Sequence, residues 1–454
     1  MAAAVVAIAA VADLVILERH VRAGPFMFTG ANCAGGAPAA AAPSDPSVGL
    51  AAWGMLAGNP AHNSALPADP LHASWTFRTN GSIVMAPSVV DGVAYAGSMD
   101  GCVYALDVAT GRLLWSFAAD NQVMSQPLVV DNEVIVGSGN KGMGRLPNGR
   151  IVRGTGESGI YALDPGTGAV RWFVQTLGES MPTPSEQDGV IYEATGGEMF
   201  YAISATTGAV LWELPVGSYV SMSSPTLSGN IAVFGGASPY ALFGVNTQTQ
   251  RLAWRLPQPQ VHGGSDDMTP TISGGVAYAQ EPDGHYIVHS VEMAIQASSG
   301  RVLWSRTLGT DRLDLVQRAL GLGQLGARDG EETGVATVSN GVLYTGAPGL
   351  HGLWALDAGT GQPVWPHPAA LGQAIRTAPV VSGGRIYVTS NTDLFVLDAA
   401  TGRVLSRTGI NAFHEGSGIM IPCSTPSPTL VGSTLLLGGG VNADSLLAVP
   451  AARP

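Results

Sequence analysis

The sequence of 454 residues predicts an all-β fold, an eight-bladed β-propeller made of four-stranded antiparallel blades. Three observations predict this fold: two series of repeated turns and a strand pattern that joins the two ends of the chain. The tryptophans of the first series recur at spacings from 40 residues (Trp172 to Trp212) to 61 residues (Trp304 to Trp365). Repeats of this period indicate a propeller or a solenoid.

The first series is a strand, a tight turn and a second strand, and its clearest copy is residues 104–115. Asp107 can accept hydrogen bonds from the backbone of the turn, and Gly111 can take a positive φ without a steric penalty. Ten residues after the central alanine or glycine, six copies carry a tryptophan, namely Trp115, Trp172, Trp212, Trp254, Trp304 and Trp365. A seventh copy, centred on Val396, has Ser406 instead.

The second series consists of two-residue turns between short apolar runs, which are typical of β-hairpins. There are eight such turns, and they lie at Asp91-Gly92, Asp131-Asn132, Asp188-Gly189, Ser228-Gly229, Ser273-Gly274, Asn340-Gly341, Ser382-Gly384 and Val431-Gly432. The second series therefore predicts one blade more than the seven copies of the first.

The eighth blade has no complete copy of the first motif because the C-terminal part of the chain does not supply its fourth strand. Residues 447–450 align with the start of the first motif, and the chain then ends. Residues 74–77 resemble the strand that begins at Trp115. We therefore expect the N-terminal strand to complete the last blade, which removes an open sheet edge.

The chain divides into three predicted regions. Residues 1–22 are an apolar signal or anchor segment, 23–52 an Ala/Pro/Gly-rich linker, and 53–454 the propeller, with 53–70 as a cap. The N-terminal segment predicts export to the periplasm or the cell exterior and allows membrane association. A packed or unstructured apolar tail is the alternative.

Composition narrows the choice of partners. Only 12% of residues are charged, the formal net charge is −12, and Lys141 is the single lysine. Because nucleic-acid binding favours basic surfaces, no nucleic-acid partner is expected. The three cysteines, Cys33, Cys102 and Cys423, form no CxxC pair and allow at most one disulfide. Cys102 and Cys423 lie in neighbouring predicted blades, which leaves their pairing open.

The pattern Ala-x-Asp-x-x-Thr-Gly-x-x-x-Trp, as in residues 105–115, resembles the repeat of the pyrroloquinoline quinone (PQQ) family of propellers. The resemblance covers nearly all of the chain after residue 52. It implies that the tryptophans stack between adjacent blades. The family includes quinoprotein dehydrogenases, which bind PQQ and calcium, and non-catalytic relatives such as the lipoprotein subunit of the outer-membrane barrel assembly machine.

Four insertions are expected on one face of the propeller. Residues 139–158 and 280–290 lie between second and third strands, and residues 309–329 and 409–418 lie between blades. In a meander blade these connections open on the same face, which we call the long-loop face. Long loops on a rigid scaffold are typical of a binding face.

Methionines recur where the innermost strands begin on this face. The predicted ligand-binding residues are these methionines with one glutamine and one arginine: Met85, Met124, Gln126, Met181, Met222, Met268, Arg376 and Met420. Thioethers suit an adaptable apolar binding surface or a copper site. The plainer interpretation is that they fill the space where eight strands converge.

Charged residues cluster in the same loops. Asp266, Asp267 and His414 are the candidate catalytic groups, and Asp267, Glu331 and Glu332 are the candidate metal ligands. Oxygen ligands, an arginine and a base are what a PQQ–calcium site needs. Solvated loop charge is the alternative interpretation.

The absence of a vicinal cysteine pair and a haem motif argues against a quinoprotein, as does the use of the tryptophans in the scaffold. The sequence therefore favours an exported binding or scaffold module that takes a protein or small-molecule ligand on its long-loop face. The alternative is a PQQ- and calcium-dependent dehydrogenase of alcohols or sugars, so enzymatic activity stays open.

Overall fold

The computed structural model describes residues 30–35, 74–140, 142–145, 149–154, 156–258, 266–283, 289–310, 334–347, 351–390, 392–410, 427–438 and 444–451. Within these residues there are eight antiparallel sheets of four strands and one of two strands. This confirms the predicted eight-bladed propeller. The predicted segment 1–22, the cap 53–70 and most of the linker lie outside the described residues.

The first strand of the chain, β1 (Trp75–Arg78), belongs to the last blade. The strands of blade 1 are β2 (Ser88–Val90), β3 (Val93–Gly97), β4 (Cys102–Asp107) and β5 (Leu113–Ala118). Those of blade 2 are β6 (Leu128–Val130), β7 (Glu133–Ser138), β10 (Gly159–Leu163) and β11 (Val170–Gln175). The two-stranded sheet, β8 (Met143–Arg145) and β9 (Ile151–Arg153), is inserted between β7 and β10.

Blades 3, 4 and 5 follow in the same order. The strands of blade 3 are β12 (Ser185–Gln187), β13 (Val190–Ala194), β14 (Met199–Ser204) and β15 (Val210–Pro215). Those of blade 4 are β16 (Thr226–Ser228), β17 (Ile231–Gly236), β18 (Ala241–Asn246) and β19 (Arg251–Pro257). Those of blade 5 are β20 (Thr271–Ser273), β21 (Val276–Asp283), β22 (His289–Gln296) and β23 (Arg301–Thr310).

Blades 6 to 8 complete the ring. The strands of blade 6 are β24 (Thr337–Ser339), β25 (Val342–Ala347), β26 (Gly352–Asp357) and β27 (Ala369–Ala370). Those of blade 7 are β28 (Val380–Ser382), β29 (Arg385–Thr389), β30 (Asp393–Asp398) and β31 (Val404–Gly409). Blade 8 contains β32 (Thr429–Val431), β33 (Thr434–Gly438), β34 (Ser445–Pro450) and β1.

The N-terminal strand closes the last blade, as the sequence predicted. β1 pairs antiparallel with β34, with Trp75 opposite Ala448 and Arg78 opposite Ser445. The described residues contain no helix long and apolar enough to cross a membrane.

The repeated aspartate and threonine close the turn between the third and fourth strands. Asp107 Oδ1 accepts hydrogen bonds from Thr110 N at 2.9 Å and from Thr110 Oγ1 at 2.6 Å. Gly111 follows with φ +70°. The same aspartate–threonine bonds recur at Asp164, Asp357 and Asp398. The motif is therefore a local turn that its own side chains stabilise.

The tryptophan of each motif reaches into the next blade. Trp115 Nε1 donates a hydrogen bond to Pro165 O at 2.7 Å. A Cβ on Gly168 would lie 2.6 Å from the Trp115 ring, so only glycine lets the turn pack on the indole. Five further tryptophans donate to the following blade in the same way, namely Trp75, Trp172, Trp254, Trp304 and Trp365.

Around the axis, hydroxyls at or near the start of the innermost strands donate to the backbone of the following blade. Six such bonds, which we call the inner belt, run from Ser88 to Pro127, Ser185 to Pro225, Thr226 to Pro270, Thr271 to Ala336, Thr337 to Pro379 and Thr429 to Pro87. The acceptor is the main-chain carbonyl in each case. The bond from Thr429 to Pro87 joins blade 8 to blade 1, and the six bonds together span six of the eight blade junctions.

Two sequence predictions need correction. The repeated motif predicts that Trp365 lies in the outer strand of blade 6, but this strand is Ala369–Ala370. Pro363, Pro366 and Pro368 lack an N–H for the ladder, which explains the delayed strand. Residues 280–290 were expected to form an inserted loop, whereas β21 and β22 extend to Asp283 and back from His289 as a longer hairpin.

A disulfide between Cys33 and Cys102 fastens residues 30–35 to blade 1. Beside it, Asn32 N donates to Asp100 O at 3.0 Å, and Ala34 N donates to the Tyr104 hydroxyl at 2.7 Å. The sequence left the pairing of Cys102 open and weighed Cys423 as its partner, and the structure assigns Cys33 instead. This segment lies beside the junction of blades 8 and 1, because Asn80 Nδ2, which follows β1, donates to Asn32 O.

Trp115→Ala should destabilise the propeller without altering the long-loop face. The change removes a ring that is 4% exposed and its hydrogen bond to Pro165. Truncation of a buried tryptophan costs about 3–5 kcal/mol. Urea unfolding would measure the loss, with Leu114→Ala on the same strand as a milder control. Equal effects of the two variants would contradict the assigned role.

Cys33→Ser should lower the free energy of unfolding by about 2–4 kcal/mol, because the disulfide restrains the unfolded chain. Cys423→Ser is the matched control and should leave this contribution intact. Urea unfolding with and without reductant measures it. Peptide mapping without reductant should recover Cys33 linked to Cys102, and free thiols at both positions would contradict the assignment.

Candidate functional site on the long-loop face

The inserted hairpin β8–β9 builds one wall of the long-loop face. It leaves blade 2 after β7 and is held by main-chain hydrogen bonds to the loops of blade 3. Arg153 N donates to Gly196 O, Glu179 N donates to Arg153 O, and Gly196 N donates to Glu179 O, each at 2.9 Å. Three separate segments thus meet in one closed set of backbone bonds.

Glycines allow this close approach. A Cβ on Gly154 would lie 2.4 Å from Glu179 N, and a Cβ on Gly196 would lie 2.3 Å from Arg153 O. Any larger residue would push the hairpin away from blade 3. The position of Arg153 is therefore fixed by backbone contacts rather than by its own side chain.

Two ion pairs strengthen the same contact. Arg153 Nε lies 2.6 Å from Glu179 Oε1, with the side chains 14% and 0% exposed. Nearer the surface, Arg150 Nε lies 2.7 Å from Glu198 Oε2. A buried carboxylate such as Glu179 stays charged only beside a cation or several donors. Arg153 supplies this cation.

The predicted pair Asp266 and Asp267 lies beside this ion pair. The Asp266 carbonyl accepts hydrogen bonds from Met222 N and Ser223 N at 2.8 Å each, which ties the residues before blade 5 to the inner mouth of blade 4. Burial and, to a smaller extent, the charge of Asp267 raise the pKa of Asp266 to about 8, against the opposing effect of Arg153. Asp266 is thus a carboxyl that holds a proton near neutral pH.

Tyr219 belongs to the same group of side chains. Burial raises its pKa to about 12, and the charge of Asp266 adds to the shift. We call Arg153, Glu179, Tyr219, Asp266 and Asp267 the Arg153 cluster. It combines a cation, a proton-holding carboxyl and a second carboxyl that is only partly buried.

Four predicted methionines come together at the axial mouth. Met124, Met181 and Met222 are buried against Val84, and Met85 packs on them. Met99, which the sequence analysis did not select, joins this group. Met268 instead lies in the core between blades 4 and 5. Met420 lies outside the described residues.

The other predicted residues are spread over the ring. Gln126 is buried, and its Nε2 donates to Ser88 Oγ at 3.0 Å, which places it in the hydrogen bonds between innermost strands. Arg376 is partly buried before the first strand of blade 7, and its carbonyl accepts from Val335 N. His414, Glu331 and Glu332 lie outside the described residues.

Sequence reasoning missed Arg153, Glu179 and Tyr219. A signal for the first two was present in the glycines of the insertion and in Gly196-Gly197, because glycines away from turns often mark a close backbone approach. No repeat pattern singles out Tyr219. Its role depends on which loops the ring brings together.

Comparison with known proteins identifies the family. The model of the PQQ_2 family, described as outer membrane protein assembly factor BamB, matches residues 49–151, 156–321 and 291–442. The chain belongs to this family. The resemblance predicted from the repeat is therefore confirmed.

Members and relatives of this family differ in function. The chain is 29% identical over 460 residues to tetrathionate hydrolase of Acidithiobacillus ferrooxidans. This match covers 89% of this chain and 87% of that protein. It is 29% identical to BamB of Escherichia coli, over 49% of this chain and 56% of that protein. The crystal structure of quinohemoprotein alcohol dehydrogenase from Comamonas testosteroni superposes on this chain with a TM-score of 0.61. The match covers 91% of this chain and 82% of that protein, at 13% identity, and it shows a common fold.

A PQQ–calcium site would need several oxygen ligands at one point. Among the described residues, no group of three or more His, Cys, Asp or Glu side chains is placed to hold a metal ion. The axial mouth presents thioethers and aliphatic carbon there. These residues do not fit a calcium-held quinone, and PQQ and calcium stay a prediction that depends on Glu331 and Glu332.

Arg153→Met should destabilise the fold, because it leaves the buried carboxylate of Glu179 without this cation. Breaking a buried pair from one side costs about 3–5 kcal/mol. Arg153→Met with Glu179→Met removes both charges and should recover most of the loss. Urea unfolding measures both variants. A double variant as unstable as the single one would contradict a charge-based role.

Proposed function

We propose that this chain is a hydrolase of a small sulfur oxoanion, with tetrathionate as its first candidate substrate. The observation that carries the proposal is the extent of the similarity to tetrathionate hydrolase, 89% of this chain and 87% of that protein. The match with Escherichia coli BamB spans only about half of each chain. The similarity to tetrathionate hydrolase therefore extends over a much larger share of both chains than the similarity to BamB.

The reaction adds water to one end of the substrate. The water oxygen bonds to a terminal sulfonate sulfur, the adjacent S–S bond breaks, and its electron pair leaves with the remaining three-sulfur anion. Sulfate and two protons are the other products. This balance needs no oxidant or reductant, so a general base, a general acid and a cation are sufficient protein groups.

The Arg153 cluster supplies such groups. Asp267 is the better base because it is less buried than Asp266. Asp266, with a pKa of about 8, is protonated at neutral pH and is the better acid for the leaving sulfur. The charge of Arg153 limits the rise of the Asp266 pKa, and Arg376 on the same face is the candidate cation for the substrate. Activity that uses protonated Asp266 falls as the pH rises through about 8.

The same proposal places the protein outside the cytoplasm, in the periplasm or the cell exterior. The disulfide between Cys33 and Cys102 supports this location, because disulfides persist mainly in oxidising compartments. Membrane association through residues 1–22 stays a prediction.

A second candidate is the binding or scaffold module that the sequence favoured. The family description and the similarity to Escherichia coli BamB support it. Its natural binding surface is the same face, where Met85 and Met99 are partly exposed at the axial mouth. In this role Asp266 and Asp267 would not take part in catalysis.

The test is turnover of tetrathionate by the purified full-length chain, followed as release of sulfate and of reduced sulfur. Asp267→Asn and Asp266→Asn should each lower kcat by about 100-fold or more, because a positioned acid or base contributes about 10²–10⁴-fold. Asp188→Asn is the matched control, since it makes the same change at an exposed turn on the opposite face. Its rate should equal that of the wild type.

Two outcomes would overturn the proposal. One is wild-type protein that is folded but hydrolyses no sulfur oxoanion, which would favour the binding role. The other is an Asp266→Asn, Asp267→Asn double variant that keeps the wild-type rate.

A further inference from the structure

The propeller contains two buried glutamates at positions where the repeat otherwise carries apolar residues. Glu292 lies in the third strand of blade 5. The residues at the same position of the other seven blades are Val103, Ile160, Phe200, Leu242, Leu353, Leu394 and Leu446, all of them buried. Seven of the eight blades thus have an apolar residue at this position, and blade 5, with Glu292, is the exception.

Glu193 is the second exception, in the second strand of blade 3. The corresponding residues of six other blades are apolar and buried, namely Ala96, Val136, Phe234, Ala279, Val388 and Leu437. The corresponding residue of blade 6 is Thr345, and this threonine donates a hydrogen bond to Glu292 Oε2 at 2.8 Å.

Both carboxyls are fully buried, with a relative exposure of 0%. Among the described residues, neither carboxyl oxygen of Glu193 has a hydrogen-bond partner, and Oε1 of Glu292 has none. An ionised carboxylate in such a place carries a large desolvation cost, whereas the protonated acid does not. Burial raises the pKa of Glu193 well above its ordinary value, and it raises that of Glu292 to about 7.

The hydrogen-bonding neighbours Thr345 and Gln280 lower the pKa of Glu292 and so offset part of this cost, but the effect of burial is larger. Gln280 and Arg306 are its cross-strand neighbours in β21 and β23. The guanidinium of Arg306 lies over the Trp354 ring, 5.7 Å from its centroid. Blade 6 contributes the neutral Thr345, and the charge of Glu292 acts on the titratable Tyr278 of β21.

The neighbours of Glu193 are less polar still. Tyr201, its cross-strand neighbour in β14, receives a hydrogen bond from Leu177 N. Ile191, two residues earlier on the same side of β13, packs against Ile160 and Trp172 of blade 2. No charged side chain contributes to the shift of the Glu193 pKa, which burial alone produces.

We propose that Glu193 and Glu292 are proton-holding groups that make the folded propeller more stable in acid than at neutral pH. Each carboxyl binds its proton more tightly in the folded than in the unfolded chain. Its stabilising contribution is complete below the ordinary glutamate pKa of about 4.5 and is lost as the pH rises through the folded-state value. For Glu292 this window extends from about pH 4.5 to about pH 7.

The inference is independent of the proposed hydrolysis, because it concerns the cores between blades and not the long-loop face. It predicts that the protein is suited to an acidic medium. Such a medium would keep both carboxyls neutral and remove the cost of their burial.

The experiment is thermal unfolding of the full-length protein between pH 4.5 and pH 8 at constant ionic strength. The Tm of the wild type should fall as the pH rises. Glu193→Gln and Glu292→Gln replace each acid by an amide of the same shape that cannot ionise. Each variant should match the wild type near pH 4.5 and exceed it near pH 7.5, and the double variant should have a weaker pH dependence than either single variant.

Glu213→Gln, which removes an exposed carboxylate of β15, is the control and should run parallel to the wild type. If a glutamine variant does not fold, Glu193→Val and Glu292→Leu place residues of the repeat at these positions. Infrared spectroscopy at neutral pH should also show protonated carboxyl bands that the double variant lacks. Parallel Tm curves for the wild type and the double variant, or no such bands, would overturn the proposal.

Discussion

The structure depends on the inner belt, because the innermost strand of every blade is an edge strand. The backbone N–H and C=O groups on its axial side have no neighbouring strand to pair with. Burying such groups without hydrogen-bond partners costs free energy. The hydroxyls of Ser88 and Thr271, for example, meet the carbonyls of Pro127 and Ala336 in the next blade. Each bond contributes only about 0.5–1.5 kcal/mol, but its loss would leave a buried carbonyl unpaired. The belt therefore joins neighbouring blades near the axis at six of the eight junctions, while the tryptophans join the blades further out.

The belt lacks its bond at two junctions, after blade 2 and after blade 7, where Leu128 and Val380 take the place of the hydroxyl residue. Blade 2 has Leu128 at the position of the belt hydroxyl, so its junction with blade 3 lacks that bond. The inserted hairpin supplies other contacts at this junction, through the backbone bonds of Arg153 and Glu179 and through their ion pair. Gln126 N also donates to Thr183 Oγ1 at 3.0 Å across this junction. The hairpin brings the charge of Arg153 close enough to act on Asp266.

The blades were predictable because their signals are local and repeated. Asp107, Gly111 and Trp115 each act within one turn or on the next blade, so seven copies of this motif and eight hairpin turns specify the ring. The site was predictable only in part. Asp266 was visible as a loop carboxylate, whereas Arg153 approaches it through backbone contacts between blades 2 and 3. The position of Tyr219 also depends on these contacts. Distances between loops of different blades do not follow from the spacing of residues along the sequence.

The most informative residues are those that break the repeat. The residues at equivalent positions of the other blades show what packing requires there. At the positions of Glu193 and Glu292 it requires mainly an aliphatic or aromatic side chain. Glu193 and Glu292 break this requirement in blades 3 and 5, while the inserted hairpin and Asp266 break the pattern of short loops in blades 2 and 5. These exceptions fall in one continuous half of the ring, blades 2 to 5. Packing cannot account for a fully buried carboxyl without a hydrogen-bond partner such as Glu193. Its retention is explained if the acid is neutral in the medium where the protein works, because a neutral acid fills the site as an apolar residue would.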